Sequence, residues 1–148
     1  GGGGGGGGVR RVPSAEELRA RERLERLAAD FERLAADLKS VRRTIARLAA
    51  MLQARADQSS AAYLDAVDFL QQCLPRLLEL CQAGMAGELD EETFEECLTV
   101  NDQARRAVEL AEIPLSALTG DEVDADLARL AKAADAADGD GDGDGDGD

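Results

Sequence analysis

The residues of this chain that could carry covalent or acid-base chemistry are three cysteines and 31 carboxylates, and the sequence contains no histidine. Nucleophilic catalysis needs a base within hydrogen-bond reach of the nucleophile. Cys73, Cys81 and Cys97 all fall among apolar residues at helical spacing, where a thiol is usually buried and inert. Glu91 and Glu92 are adjacent carboxylates at a predicted helix start, where helix capping explains them. We therefore expect no enzyme and no catalytic residue.

Metal and disulfide chemistry are equally weakly indicated. An odd number of cysteines without a secretory signal indicates reduced thiols in a cytoplasmic protein. Cys73 and Cys81 are eight residues apart, so they share a helix face but cannot form a disulfide within one helix. A zinc site would need a fourth ligand. The Asp-Gly repeat of residues 138–148 lacks the closing glutamate of a calcium loop. We expect no metal and no cofactor.

Protein binding is better indicated, on the third predicted helix. One face of this helix carries a core stripe at helical spacing, formed by Cys97, Val100, Ala104, Val108 and Ala111. A second face carries Phe94 and Leu98, followed by Asp102. Because a three-helix bundle needs one apolar face from each helix, this second face would lie partly exposed. An exposed apolar strip edged by acid is typical of a protein-binding surface. The alternative is that Phe94 and Leu98 fill the core and Asp102 is a solvated carboxylate.

Composition predicts one small helical domain between low-complexity ends. We divide the chain into a disordered Gly-rich linker (residues 1–13), a helical domain (14–113) and an acidic flexible tail (114–148), with at most one or two turns of weak helix at 127–138. Residues 1–58 carry a net charge of +4 and residues 59–148 a net charge of −18. This balance argues against nucleic acid as a partner.

Neither a signal peptide nor an apolar run long enough to cross a membrane is present in the sequence. The chain does not begin with methionine, so we expect a fragment of a longer protein.

The first predicted helix, residues 15–56, starts at a capping box formed by Ser14 and Glu17. Its length is about twice that of either following helix, so its N-terminal half would carry an unpaired apolar seam. This half could dimerise, dock on a neighbouring domain, or fold back at a break near Ser40. We favour a straight helix with an overhang. Its apolar residues recur at spacings of three and four, as in a left-handed coiled coil, and are Leu24, Leu27, Phe31, Leu34, Leu38, Val41, Ile45, Leu48 and Leu52.

The second and third predicted helices span residues 61–83 and 91–113. Gly84 is the predicted stop of the second helix, and Pro75 within it is predicted to cause a kink. Asp90 caps the third helix and Pro114 ends it. The fold class is therefore all-α, a three-helix bundle with an elongated first helix.

Two stretches, FLQQCLPRLLELCQAG (residues 69–84) and EECLTVNDQARRAV (residues 95–108), resemble the last two helices of a GAT domain. This is the helical bundle of GGA and TOM-type sorting adaptors, and the resemblance covers residues 38–113. The third helix of the family has a recurring core of Leu, two residues, Asn or Ser, then Asp, which Leu98, Asn101 and Asp102 match. In GGA-type domains two leucines four residues apart, and an Asp four further on, contact ubiquitin. These positions fall on Phe94, Leu98 and Asp102.

The resemblance implies a GAT-like bundle that binds ubiquitin or ubiquitinated cargo, together with trafficking adaptor proteins. It implies a cytoplasmic protein peripheral to endosome or Golgi membranes, with phosphoinositide or membrane association through other domains. The helical hook by which GGA proteins bind an Arf-family GTPase has no match in residues 14–40, so a TOM-type adaptor is the better analogue. The alternative function is a structural coiled-coil protein that forms a homodimer or larger oligomer through the seam of residues 24–52.

Overall fold

The computed structural model describes residues 11–138, which contain helices and connecting turns but no strand. The helices are α1 (Ala15–Gln53), α2 (Ala61–Met85), α3 (Glu91–Ala111), α4 (Asp121–Ala131) and α5 (Ala133–Asp138), with a 3₁₀ turn at Leu115–Ala117. The predicted all-α class is confirmed. The predicted disordered linker of residues 1–13 and flexible tail of residues 114–148 lie outside the described residues at positions 1–10 and 139–148. By internal contacts the chain divides into two units, Gly1–Ala35 and Ala36–Asp148, so the division falls inside α1.

The described part of the first unit is the N-terminal part of α1, whose start is held by local hydrogen bonds. The N–H of Ser14 donates to Oε1 of Glu17 at 2.9 Å, and the N–H of Glu17 donates to Oγ of Ser14 at 3.0 Å. The predicted capping box is therefore present. Arg11 donates to Oε2 of Glu17 at 2.9 Å and, with the box, holds the pKa of that carboxyl below its usual value.

In the second unit, the C-terminal part of α1 packs the apolar seam residues from Leu38 onwards into the core. The buried Arg42 donates through Nη2 to Oε2 of Glu96 on α3 at 3.2 Å. Because these seam residues pack within their own chain, a second chain cannot use the whole predicted seam. Only the exposed residues from Leu24 to Phe31 remain for that role. The seam residues buried in this unit are Leu38, Val41, Ile45, Leu48 and Leu52.

The helices α2 and α3 form an antiparallel pair joined by residues 86–90. The end of α2 lies against the start of α3, because a Cβ atom built on Gly84 would lie 2.6 Å from Cγ and 2.7 Å from Cε1 of Phe94. Gly84 is thus an interior residue of α2, and its prediction as the helix stop is wrong. The helix ends at Met85, and Gly87, with φ of 83°, takes the left-handed conformation that follows the end.

Side-chain hydrogen bonds tie the connection between α1 and α2 to the chain beyond α3. Gln58 donates through Nε2 to the carbonyl of Ile113 at 2.9 Å, and its Oε1 accepts from the N–H of Leu115 at 3.3 Å. Arg55, with φ of 57°, is a left-handed residue that donates through Nη1 to the carbonyl of Leu118 at 2.9 Å. The strain of a left-handed arginine is offset by this bond, which fixes the turn after α3.

Residues 114–138 hold packed helical structure where a flexible tail was predicted. Arg106 on α3 donates through Nε to Oδ2 of Asp126 on α4 at 2.8 Å, and Arg129 donates to the other carboxylate oxygen at 3.1 Å. Burial of apolar side chains offsets the entropy cost of ordering this segment. The buried side chains of the segment are Leu118, Leu127, Leu130 and Ala133.

Candidate protein-binding site

The three predicted site residues lie on α3, whose start is fixed by a local signal. Oδ2 of the cap residue Asp90 accepts from the N–H of Thr93 at 3.1 Å, and hydrogen bonding to Thr93 lowers the pKa of this carboxyl. From this cap, positions 94, 98 and 102 follow at intervals of four and form one row along the helix. The row lies beside the core stripe, in which Cys97, Val100 and Ala104 are buried.

Phe94 is half-buried, and its ring occupies the space that the missing side chain of Gly84 leaves on α2. The ring therefore has a packing role between the two helices. Its remaining exposed part lies at the end of the row that is nearest the loop of residues 86–90. The sequence left open whether Phe94 fills the core or forms part of an exposed strip. In the structure the ring is partly packed between the helices and partly exposed.

Leu98 and Asp102 form the exposed part of the row. Leu98 is 39% exposed, although it lies beside the core stripe. Asp102 is exposed, and its charge contributes to the raised pKa of Cys81 on α2. An apolar group and a carboxylate therefore lie one helical turn apart on the exposed side of α3.

A groove of about 510 Å³ continues this surface between α2 and α3. Leu98 lies one helical turn before Asn101, which lines the groove, and Leu78 on the opposite wall is 51% exposed. Asn101 itself is buried. The groove is lined by Gln71, Leu74, Pro75, Leu78, Asn101 and Arg105.

Pro75 gives this groove an unusual backbone feature. The proline lies inside the continuous helix α2 and has no N–H, so the carbonyl of Gln71 lacks the donor that position 75 would normally supply. Both residues line the groove, together with the amide of Asn101 and the guanidinium of Arg105. The groove therefore combines leucine side chains with hydrogen-bonding groups, as the centre and rim of a protein interface do.

The thiols near this surface are unsuited to nucleophilic chemistry. Burial, with a further contribution from Cys81, raises the pKa of Cys97 to about 11. Burial also raises the pKa values of Cys81 and Cys73. All three thiols are therefore protonated near neutral pH. Within residues 11–138 no group of three or more Cys, Asp or Glu side chains is placed to hold a metal ion.

The helices were compared with the length and hydropathy of membrane-spanning segments. Over residues 11–138, no helix combines the length and the apolar character that crossing a bilayer requires.

The predicted site residues all lie on α3, whereas four of the residues that line the groove lie on α2. Two groove residues of α2 directly follow a buried seam residue in the sequence. Gln71 follows Leu70, and Leu78 follows Leu77. This one-residue offset marks an edge of the core stripe, but it does not tell which edge lies against α3.

Comparison with known proteins identifies no family for the chain: no family model, no curated protein and no solved structure matches it. The resemblance to GAT domains therefore depends on the residues quoted above.

Proposed function

We propose that the chain is a ubiquitin-binding module that acts in the sorting of ubiquitinated membrane cargo, through the surface formed by Phe94, Leu98 and Asp102. The observation that carries this proposal is the exposure of Leu98 next to Asp102, at the border of the groove between α2 and α3. Together these two residues offer an apolar anchor and a charge to the surface of a partner protein.

The apolar and acidic groups of this surface are complementary to the surface of ubiquitin. Ubiquitin offers a shallow apolar patch ringed by basic residues. Leu98 and the exposed part of Phe94 supply apolar anchors, and Leu78 extends them across the groove. Asp102, in a chain half with net charge −18, supplies the opposite charge for the basic rim. Because the apolar area is small, we expect a dissociation constant on the order of 10–500 μM.

Phe94 contributes to this surface in a second way, by fixing the position of α3 on α2. Since its ring fills the space above Gly84, its removal would change both the surface and the packing of the two helices. Leu98 is the better residue for testing binding, because it is more exposed and its replacement leaves the Gly84 contact intact.

The finer parts of the proposal follow from the resemblance alone. They are a GAT-type bundle, trafficking adaptor proteins as further partners, and a cytoplasmic location at endosome or Golgi membranes. Phosphoinositide or membrane association would come from other domains.

The test is an NMR titration of isotope-labelled ubiquitin with the full chain up to about 1 mM. We expect shifts confined to the apolar patch of ubiquitin, and their loss with Leu98→Ser and Asp102→Arg. The control is Leu64→Ser, which replaces an exposed leucine of α2 outside the groove. It should bind like the parent chain. Circular dichroism checks that each variant keeps its helicity. No shifts at 1 mM, or equal binding by Leu98→Ser, would refute the proposal.

A further inference from the structure

The described part of the first unit carries an apolar face that no residue within 11–138 covers. The exposed fractions of its side chains are 67% for Leu24, 53% for Leu27 and 43% for Phe31. Together with the half-exposed Ala20, these residues occupy successive seam positions at spacings of four, three and four. We call these four residues the exposed seam. In a coiled coil, the side chains at positions with this spacing are buried against a second helix.

We propose that the partner is a second copy of this chain, bound antiparallel along the exposed seam. The inference is independent of the ubiquitin site, which lies in the other unit. In the antiparallel register centred between positions 25 and 26, Leu24 meets Leu27 of the second copy and Leu27 meets its Leu24. Phe31 then meets the small side chain of Ala20, and Ala20 meets Phe31. Each layer combines side chains of compatible size, and each exposed seam residue has a partner.

The charges beside the seam favour the same arrangement. Arg23 and Asp30 each precede a seam residue, Leu24 and Phe31, and occupy equivalent flanking positions. In the antiparallel register Arg23 of each copy faces Asp30 of the other, which gives two opposite-charge pairs. In a parallel pair these two residues would face alanines at positions 28 and 35 instead. Asp30 has only a loose intrahelical contact with Arg33, at 3.9 Å between two exposed side chains.

Burial limits the register and the length of the interface. A shift by one heptad towards the C-terminus would place Phe31 opposite Leu34 and Leu27 opposite Leu38, and both Leu34 and Leu38 are already buried. The proposed overlap is residues 20–31, about 18 Å of helix. Beyond it, Glu16 would face Asp37, a like-charged pair that ends the contact. Such a short interface predicts a weak dimer, with a dissociation constant on the order of 100 μM.

The first experiment is sedimentation velocity of the full chain from about 10 μM to 1 mM, at low salt and with a reductant that keeps the cysteines free. We expect a concentration-dependent monomer-dimer equilibrium. The variant Leu24→Ser/Leu27→Ser should remain monomeric, and Leu64→Ser, which alters an exposed leucine outside the seam, should dimerise normally. A chain that is monomeric at 1 mM, or a dimer unaffected by the double serine variant, would overturn the proposal.

Charge exchange tests the orientation without altering the apolar seam. Arg23→Asp or Asp30→Arg alone should each raise the dissociation constant about 5- to 30-fold, because two attractive pairs become repulsive. The double variant Arg23→Asp/Asp30→Arg should restore the parent value, since the two pairs are rebuilt with exchanged charges. A double variant as weak as the singles would exclude the antiparallel register. The helicity of each variant shows whether α1 is intact.

Discussion

Replacing Gly84 by alanine should destabilise the protein, although Gly84 lies in a helix where alanine is usually the better residue. Without tertiary contacts the change would stabilise the helix by about 0.5–1 kcal/mol. In this structure the new Cβ would lie 2.6 Å from Cγ and 2.7 Å from Cε1 of Phe94, and closer still to Cδ1. The ring must move, and overpacking of this kind costs about 1–3 kcal/mol. We expect a net loss of about 1–2 kcal/mol in the free energy of unfolding.

A double-mutant cycle with Phe94→Ala isolates this contact. With the ring removed, Gly84→Ala should stabilise the chain by about 0.5 kcal/mol, so the effect changes sign and the coupling is about 1.5–2.5 kcal/mol. Urea unfolding followed by circular dichroism gives the four free energies. The control is Gly87→Ala, whose Cβ would meet nothing within 4 Å but whose φ of 83° penalises alanine. Gly87→Ala should destabilise the chain equally with and without the Phe94 ring.

Stabilisation by Gly84→Ala in both backgrounds would refute this reasoning, because it would mean that the ring is not held on Gly84. A coupling below about 0.5 kcal/mol would do the same. The result also bears on the binding surface, since the position of Phe94 defines one end of it.

Three further predictions concern α4 and the thiols. Leu130→Ala should cost about 2–4 kcal/mol in urea unfolding because Leu130 is fully buried, whereas a residue of a flexible tail would cost almost nothing. Asp126→Asn should cost about 0.5–1 kcal/mol at pH 7 and low salt. Because Arg106 lowers the pKa of Asp126, the deficit should vanish as the pH falls through that lowered pKa and the parent chain loses the charge. Burial raises the pKa of Cys97 to about 11, so the thiol adds stability below pH 9 that is lost as the pH rises to about 11. The free energy of unfolding should therefore fall across this range by up to about 1.4 kcal/mol per pH unit. Cys97→Ala should remove this slope.

The helices could be predicted from the sequence where local signals define them. The capping box of Ser14 and Glu17, the cap Asp90 and the three-four spacing of leucines each act within a few residues along the chain. Such signals do not depend on tertiary contacts, and α1, α2 and α3 accordingly begin at the predicted residues.

The remaining features depend on contacts between distant residues. In α4 only Leu127 and Leu130 mark the buried side, and two residues are too few for a periodicity to be recognised. Gly84 and Gly87 both match the sequence signal for a helix stop, and the sequence alone does not show that Gly84 lies against the Phe94 ring of another helix. The groove likewise required knowledge of which side of α2 faces α3. The choice of Phe94, Leu98 and Asp102 as site residues therefore stays a prediction, and the groove residues of α2 could not be chosen from the sequence.

The sequence separation of the contacts has a consequence for the order of folding. The pair of α2 and α3 closes through a five-residue connection, residues 86–90, so it can form with little loss of chain entropy. The bonds of Gln58 and Arg55 join residues 55 to 63 positions apart, and their loops close at a higher entropic cost. We expect the transition state for folding to contain the helical hairpin and to lack these bonds. Gln58→Ala should then accelerate unfolding with almost no change in the folding rate. Stopped-flow kinetics at a series of urea concentrations measure both rates. A clearly slower folding rate in the variant would show that this order is incorrect. The bonds that close last would then set the lifetime of the folded protein.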